Sequence, residues 1–184
     1  MALSTSEPIL VASENEYVRI VHVNLAAGET PPKYTPVATP IVSVDLNSGN
    51  VRYSDIDDRH PRNTAVREIR VELKSAPETT PLTLDAVRVE PTRFKVVFEN
   101  ERVRVVRLCF GPRERGVMVS HPPRVLVTLT DVSVKLLFAD GRTDERGAPA
   151  GVAAWLDTET LQTENLRTDP LEVVLVEPKS ARGF

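Results

Sequence analysis

Glu14-Asn-Glu-Tyr-Val-Arg-Ile-Val21 and Glu99-Asn-Glu-Arg-Val-Arg-Val-Val106 are two copies of one phrase, 85 positions apart. Glu14, Asn15, Glu16, Val18, Arg19 and Val21 recur as Glu99, Asn100, Glu101, Val103, Arg104 and Val106. Glu29/Glu114 and Val42/Val127 extend the match at the same offset. The spacing then drifts: Arg62-Asn63-Thr64 answers Glu164-Asn165-Leu166, an offset of 102. The first copy is therefore about 17 residues shorter (102 minus 85), room for two strands and a turn. A repeat of this kind indicates two copies of one supersecondary unit. The expected organisation is a truncated unit over residues 1–76 and a fuller one over 77–184, with a Pro-, Ser- and Thr-rich connector at 75–84.

Outward from that phrase, the chain repeats one kind of segment. Tyr17–Leu25, Pro40–Leu46, Ala65–Leu73, Arg102–Phe110, Val125–Thr130, Val132–Phe138 and Leu171–Val176 are short runs rich in β-branched and aliphatic residues. Several alternate apolar with polar, the period of a strand buried on one face. Fifteen Pro and eight Gly punctuate them along the whole chain, and helical periodicity is nearly absent. The expected fold class is all-β, a sandwich or barrel.

At 184 residues the chain has length enough to bury roughly 70% of its unfolded surface. A net charge of −3 and a pI of about 5.7 argue against a nucleic-acid or membrane-surface partner, which would need a basic face. No run approaches the length of a membrane-spanning helix. Met1–Pro8 lacks the basic and apolar regions of a secretory leader. One cysteine permits neither an intrachain disulfide nor a multi-thiolate zinc site. The expected setting is a reducing cytoplasm.

Further strings narrow the fold. Phe98–Leu108 is followed by Gly111-Pro-Arg-Glu-Arg-Gly116 and Ser120-His-Pro-Pro123, then by Phe138-Ala-Asp-Gly141, Ala150-Gly-Val-Ala-Ala-Trp155 and Glu164-Asn-Leu166 before a closing strand. The second half resembles a small bacterial cupin, and the whole chain resembles a bicupin with degenerate metal motifs. The resemblance covers about 90 residues strongly and the first 75 weakly. It implies a double-stranded β-helix, or jelly-roll barrel, in each half. It also implies a metal site whose first motif supplies two His one residue apart and an acid or amide, and whose second supplies one more His. Alternate strand residues share a face, so His-x-His would send both rings inward.

At those positions this chain has Val119, His121 and Leu161, while Pro36 stands where His121 would be in the first half and His60 is at most a shifted remnant. One imidazole cannot satisfy a metal that takes three or four ligands. The expectation is no metal, no cofactor and a dry pocket bounded by Val119 and Leu161.

His121 is the candidate catalytic residue, an acid/base at the barrel mouth; the competing reading makes it a relic satisfying a backbone carbonyl beside Pro122. Arg107 and Cys109 fall on one face of their strand, the former a candidate anion anchor or an exposed strand arginine and the latter a thiol or a small buried hydrophobe. Trp155 lines the cavity or packs in the core. Asp55-Ile-Asp57-Asp58-Arg59-His60 lacks the spacing of a calcium loop.

Two functions follow. One is a metal-free barrel that binds a small, largely apolar molecule or serves as an assembly unit. The other is a cofactor-independent cyclase, isomerase or lyase using His121, with a metal-dependent enzyme as the third reading. Open sheet edges on a truncated barrel predict a homodimer.

Overall fold

The computed structural model describes residues 7–29, 34–38, 40–55, 64–78 and 81–180. The chain divides into two compact units, residues 1–75 and 76–184.

The first unit is one antiparallel sheet of β1 (Ile9–Glu14), β2 (Val18–Leu25), β3 (Ile41–Asp45), β4 (Val51–Ser54) and β5 (Val66–Leu73), in the order β1-β2-β5-β3-β4. The second contains one helical turn, α1 (Ala86–Val89), capped by the Asp85 carboxylate on the Arg88 amide. Its strands are β6 (Phe94–Glu99), β7 (Val103–Phe110), β8 (Val119–His121), β9 (Arg124–Thr128), β10 (Val132–Phe138), β11 (Thr143–Ala148), β12 (Ala153–Leu156), β13 (Glu159–Asn165) and β14 (Leu171–Pro178). They form a five-stranded sheet, β12-β9-β14-β7-β6, and a four-stranded sheet, β11-β10-β13-β8. Between the sheets, Phe94, Val106, Leu108, Phe110, Leu136 and Leu161 belong to one apolar core cluster.

The five-stranded sheets of the two units have the same plan. β1, β2, β5, β3 and β4 occupy the places of β6, β7, β14, β9 and β12. Even an irregularity recurs: β1 slips register between Val11 and Ser13 against β2, and β6 between Val96 and Phe98 against β7, 85 positions on. A bulge adds an unpaired residue and bends its strand, so it is a specific feature of a backbone rather than noise.

What the first unit lacks between β3 and β4 is the β10–β11 hairpin: five residues link Asp45 to Val51, whereas Thr128 and Ala153 are joined through that hairpin. This is the two strands and a turn that the drifting offset demanded. The register puts Val42 opposite Val71 and Val125 opposite Val176, so Val42 answers Val125 rather than Val127. Asn63 lies outside the described residues.

The inner faces differ in chemistry. In the second unit the cross-strand row Val106, Leu175, Leu126, Ala154 is apolar. The matching row of the first unit is Val21, Arg70, Ser43, Arg52. Glu68, Arg70 and Glu72, at alternate positions of β5, are all buried. Burial of charge is tolerated when it is paired. Glu68 accepts from Arg52 at 2.5 Å and from Arg70 at 2.7 Å, and Glu72 accepts from the Tyr34 hydroxyl and from the Val37 amide at 2.8 Å.

Candidate functional site

The two sheets of the second unit enclose a cavity of about 230 Å³. Period-two alternation builds its walls: Leu108, Leu126, Val173 and Leu175 project from one sheet, Leu136 and Leu161 from the other. For scale, an engineered apolar cavity of roughly 150 Å³ holds benzene.

One end is polar, where His121, Arg124, Arg146 and Glu159 join the lining. β8 carries Val119 and His121 on one face before Pro122-Pro123 breaks the strand. β9 then restarts at Arg124, whose face continues through Leu126 and Thr128. Glu159 stands opposite His121 in the β13–β8 ladder. Its carboxylate accepts from Arg124 Nη2 at 2.9 Å and from Arg146 Nη1 at 3.2 Å. Arg124 Nη1 donates to the Pro122 and Asp157 carbonyls at 3.2 and 3.1 Å. Arg146 also donates to Asp144 at 3.0 Å and lies over the Phe138 ring.

Among the described residues, two nitrogens at this end have no hydrogen-bond partner: Arg124 Nε and His121 Nδ1. Their residues are 3% and 4% exposed, so bulk water does not compensate them. Burial, reinforced by the Arg124 and Arg104 cations, holds the His121 pKa well below the ordinary histidine value, so the ring is neutral at pH 7.

A second buried polar group lies on the same inner face. Arg104 and Glu177 are cross-strand partners on β7 and β14. Arg104 donates to Glu177 at 2.6 Å and to Asp85 at 2.7 Å. Burial nevertheless outweighs Arg104 and pushes the Glu177 carboxyl up to about 7.

The positions to which the resemblance assigns metal ligands converge but do not fit a metal. Val119 and Leu161 are direct cross-strand partners and both belong to the apolar core. The remaining imidazole sits in the field of two guanidinium groups, which opposes a further cation as it opposes protonation. Among the described residues no three His, Cys, Asp or Glu side chains come together.

Of the residues singled out in the sequence, His121 and Leu161 line the cavity, and Val119 lies in the core cluster rather than among the lining residues. Three do not belong to it. Arg107 and Cys109 alternate with the lining residue Leu108; Arg107 forms an ion pair with Glu172, and Cys109 is exposed. Trp155 falls between the lining residues Ala154 and Leu156, and its indole donates outside the cavity to Asp157 at 3.0 Å. His121 Nδ1 has no partner among the described residues, so this nitrogen does not supply the carbonyl contact of the relic reading. His60 and residues 57–59 lie outside the described residues.

The sequence marks Arg124 only as one of a modest basic group with Arg113 and Arg115 around residues 111–124, and gives no site role to Arg146, Glu159, Arg104 or Glu177. The available signal was alternation: Arg124 keeps step with Leu126 and Thr128, and Glu177 with Leu171, Val173 and Leu175.

The architecture matches a known structure over nearly its whole length. The cupin 2 conserved barrel domain protein from Leptotrichia buccalis aligns with 97% of this chain and 92% of its own, at a TM-score of 0.52 and 12% identity. The chain has a cupin fold. A cupin domain from Bordetella pertussis Tohama I is 22% identical over 47% of this chain and 92% of its own, with a TM-score of 0.44. An RmlC-like cupin from Methanocaldococcus jannaschii, described as a double-stranded β-helix, is 11% identical over 57% and 86%, with a TM-score of 0.39. No family model matches this chain, nor does any curated protein. Among its described residues no helix is long and apolar enough to cross a membrane.

Proposed function

We propose that this chain is a metal-free cupin that binds a small, largely apolar molecule inside its second barrel. The observation that carries the reading is the 230 Å³ cavity, walled largely by aliphatic side chains, with His121, Arg124, Arg146 and Glu159 among its few polar groups. Binding sites are typically apolar cavities with a few placed polar groups. The lone cysteine fits a reducing, cytoplasmic setting, and a homodimer is the expected assembly.

Benzene is the minimal probe. Titrated into the protein, it shifts the methyl NMR signals of Leu126, Leu136 and Val173, and Ala148→Phe, which fills the cavity from the edge strand β11, abolishes the shifts. Methyl signals that do not move at saturating benzene refute the reading.

A neutral buried imidazole on the cavity lining favours one second reading, a cofactor-independent enzyme with His121 accepting a proton. In that case His121→Ala leaves ligand binding intact and removes turnover. A variant that turns substrate over like the parent eliminates it.

A further inference from the structure

Two sheets packed face to face leave two open sides, and this barrel closes them unequally. One side lies between the edge strands β6 and β8, where α1 touches both. There the Leu84 carbonyl accepts from the Ser120 amide at 2.7 Å, Asp85 pairs with Arg104, and Ala86 enters the apolar core cluster. That side is filled.

The other side lies between β11 and β12, the remaining edges of the two sheets. Directly paired residues share a face of a sheet, so the register fixes which side chains of these strands point inward. Asp144 and Arg146 stand opposite the cavity residues Leu136 and Val134, and Ala154 stands opposite Leu126. Inward by register, all three are nevertheless exposed, the Arg146 side chain to 40%. Leu136, one strand further in, is 5% exposed. Inward-facing residues that meet solvent mark the mouth of the cavity.

Arg146 is the long side chain at that mouth. Its guanidinium reaches from β11 to Glu159 on β13 at 3.2 Å and lies over the Phe138 ring. A second contact ties it to Asp144 on its own strand at 3.0 Å. Glu159 is fixed from inside by the buried Arg124 at 2.9 Å, so the exposed guanidinium is the partner able to let go. On leaving Glu159 it keeps Asp144. Solvent-exposed ion pairs contribute little and are screened by salt, so release costs little. Resting on the binding reading above, we propose that Arg146 is a gate: ligands enter and leave between β11 and β12, and the Arg146–Glu159 pair holds that route closed.

Benzene exchange on the full-length protein reads the gate. Line shapes of the Leu136 and Val173 methyl NMR signals through a titration give the on-rate, the off-rate and Kd together. Arg146→Ala raises both rates about two- to fivefold, the closed-to-open ratio that an exposed pair can hold, and leaves Kd within about 1.5-fold. In the parent, without any mutation, the off-rate rises on going from about 50 mM to about 500 mM NaCl. Leu84→Ala, on the filled side, changes neither rate. Parent-like rates in Arg146→Ala, a parent off-rate indifferent to salt, or faster exchange in Leu84→Ala overturns the gate while leaving the binding site standing. An off-rate that rises while the on-rate stays fixed also overturns it, since Arg146 is then a ligand contact. If no methyl signal of the parent moves with benzene, the binding reading itself falls and the gate with it.

Discussion

Replacing Glu177 with glutamine isolates one buried carboxyl whose protonation is coupled to folding. Glu177 is 2% exposed and its pKa rises from 4.5 to about 7 on folding, because burial outweighs the attraction of Arg104. The native state thus holds this proton more tightly than the unfolded chain does. The resulting stabilisation is fully present below pH 4.5 and is lost as the pH climbs through 7. That rise corresponds to about 3 kcal/mol, most of which falls between pH 5 and pH 8. Glutamine carries no titrating proton, so the parent should lose about 2–3 kcal/mol relative to Glu177→Gln over that interval. Any constant offset from the lost Arg104 contact cancels in the slope. Urea unfolding followed through the single tryptophan, Trp155 on β12, reads the unit that contains the change. A difference between the two proteins that varies by less than about 0.5 kcal/mol from pH 5 to pH 8 refutes the reasoning, as does a variant that grows less stable relative to the parent as pH rises.

Other consequences are open to direct measurement. Elemental analysis of untagged, unchelated protein should return far less than one equivalent of any transition metal, since Val119 and Leu161 stand at ligand positions; a stoichiometric metal would overturn that assignment. Leu175→Ala, at a side chain 1% exposed in the barrel core, should cost about 2–5 kcal/mol by denaturant unfolding, and a loss below about 1 kcal/mol would show a site able to collapse. Light scattering coupled to size exclusion should give twice the 20.4 kDa chain mass, and a 20 kDa particle excludes the homodimer. His121→Gln should remove a histidine that resists protonation. The parent's stability, relative to this variant, therefore falls as pH drops below the ordinary histidine value of 6.5, and a parent-minus-variant difference that is flat from pH 7 to pH 5 contradicts a neutral buried ring.

Strands β2, β7 and β14 are legible because aliphatic residues alternate along them, and the 85-residue offset makes the duplication visible in the sequence itself. Strands such as β11, Thr-Asp-Glu-Arg-Gly-Ala, are not, since an exposed edge strand needs no apolar face. The polar site was hidden for a related reason. A charged residue on an apolar strand reads as pointing to solvent, and only the pairing of Arg124 with Glu159, or Arg104 with Glu177, lets it point inward. Those partners lie 35 and 73 positions apart, beyond any local pattern. Arg107 was chosen over Arg124 on strand position alone, and its partner Glu172 is just as remote, 65 positions away.

The contrast between the two inner faces limits how this protein can be re-engineered. Grafting the β10–β11 hairpin into the short Asp45–Val51 turn would restore the missing strands to the first unit, but not a container. Arg70 and Glu68 stand where Leu175 and Val173 form a wall in the second unit, and Ser43 and Arg52 stand in place of Leu126 and Ala154. The added hairpin would close over bound charge instead of empty space. A second vessel in this chain therefore requires rewriting four side chains together with the backbone, because removing any one ion-pair member alone strands its partner in the interior.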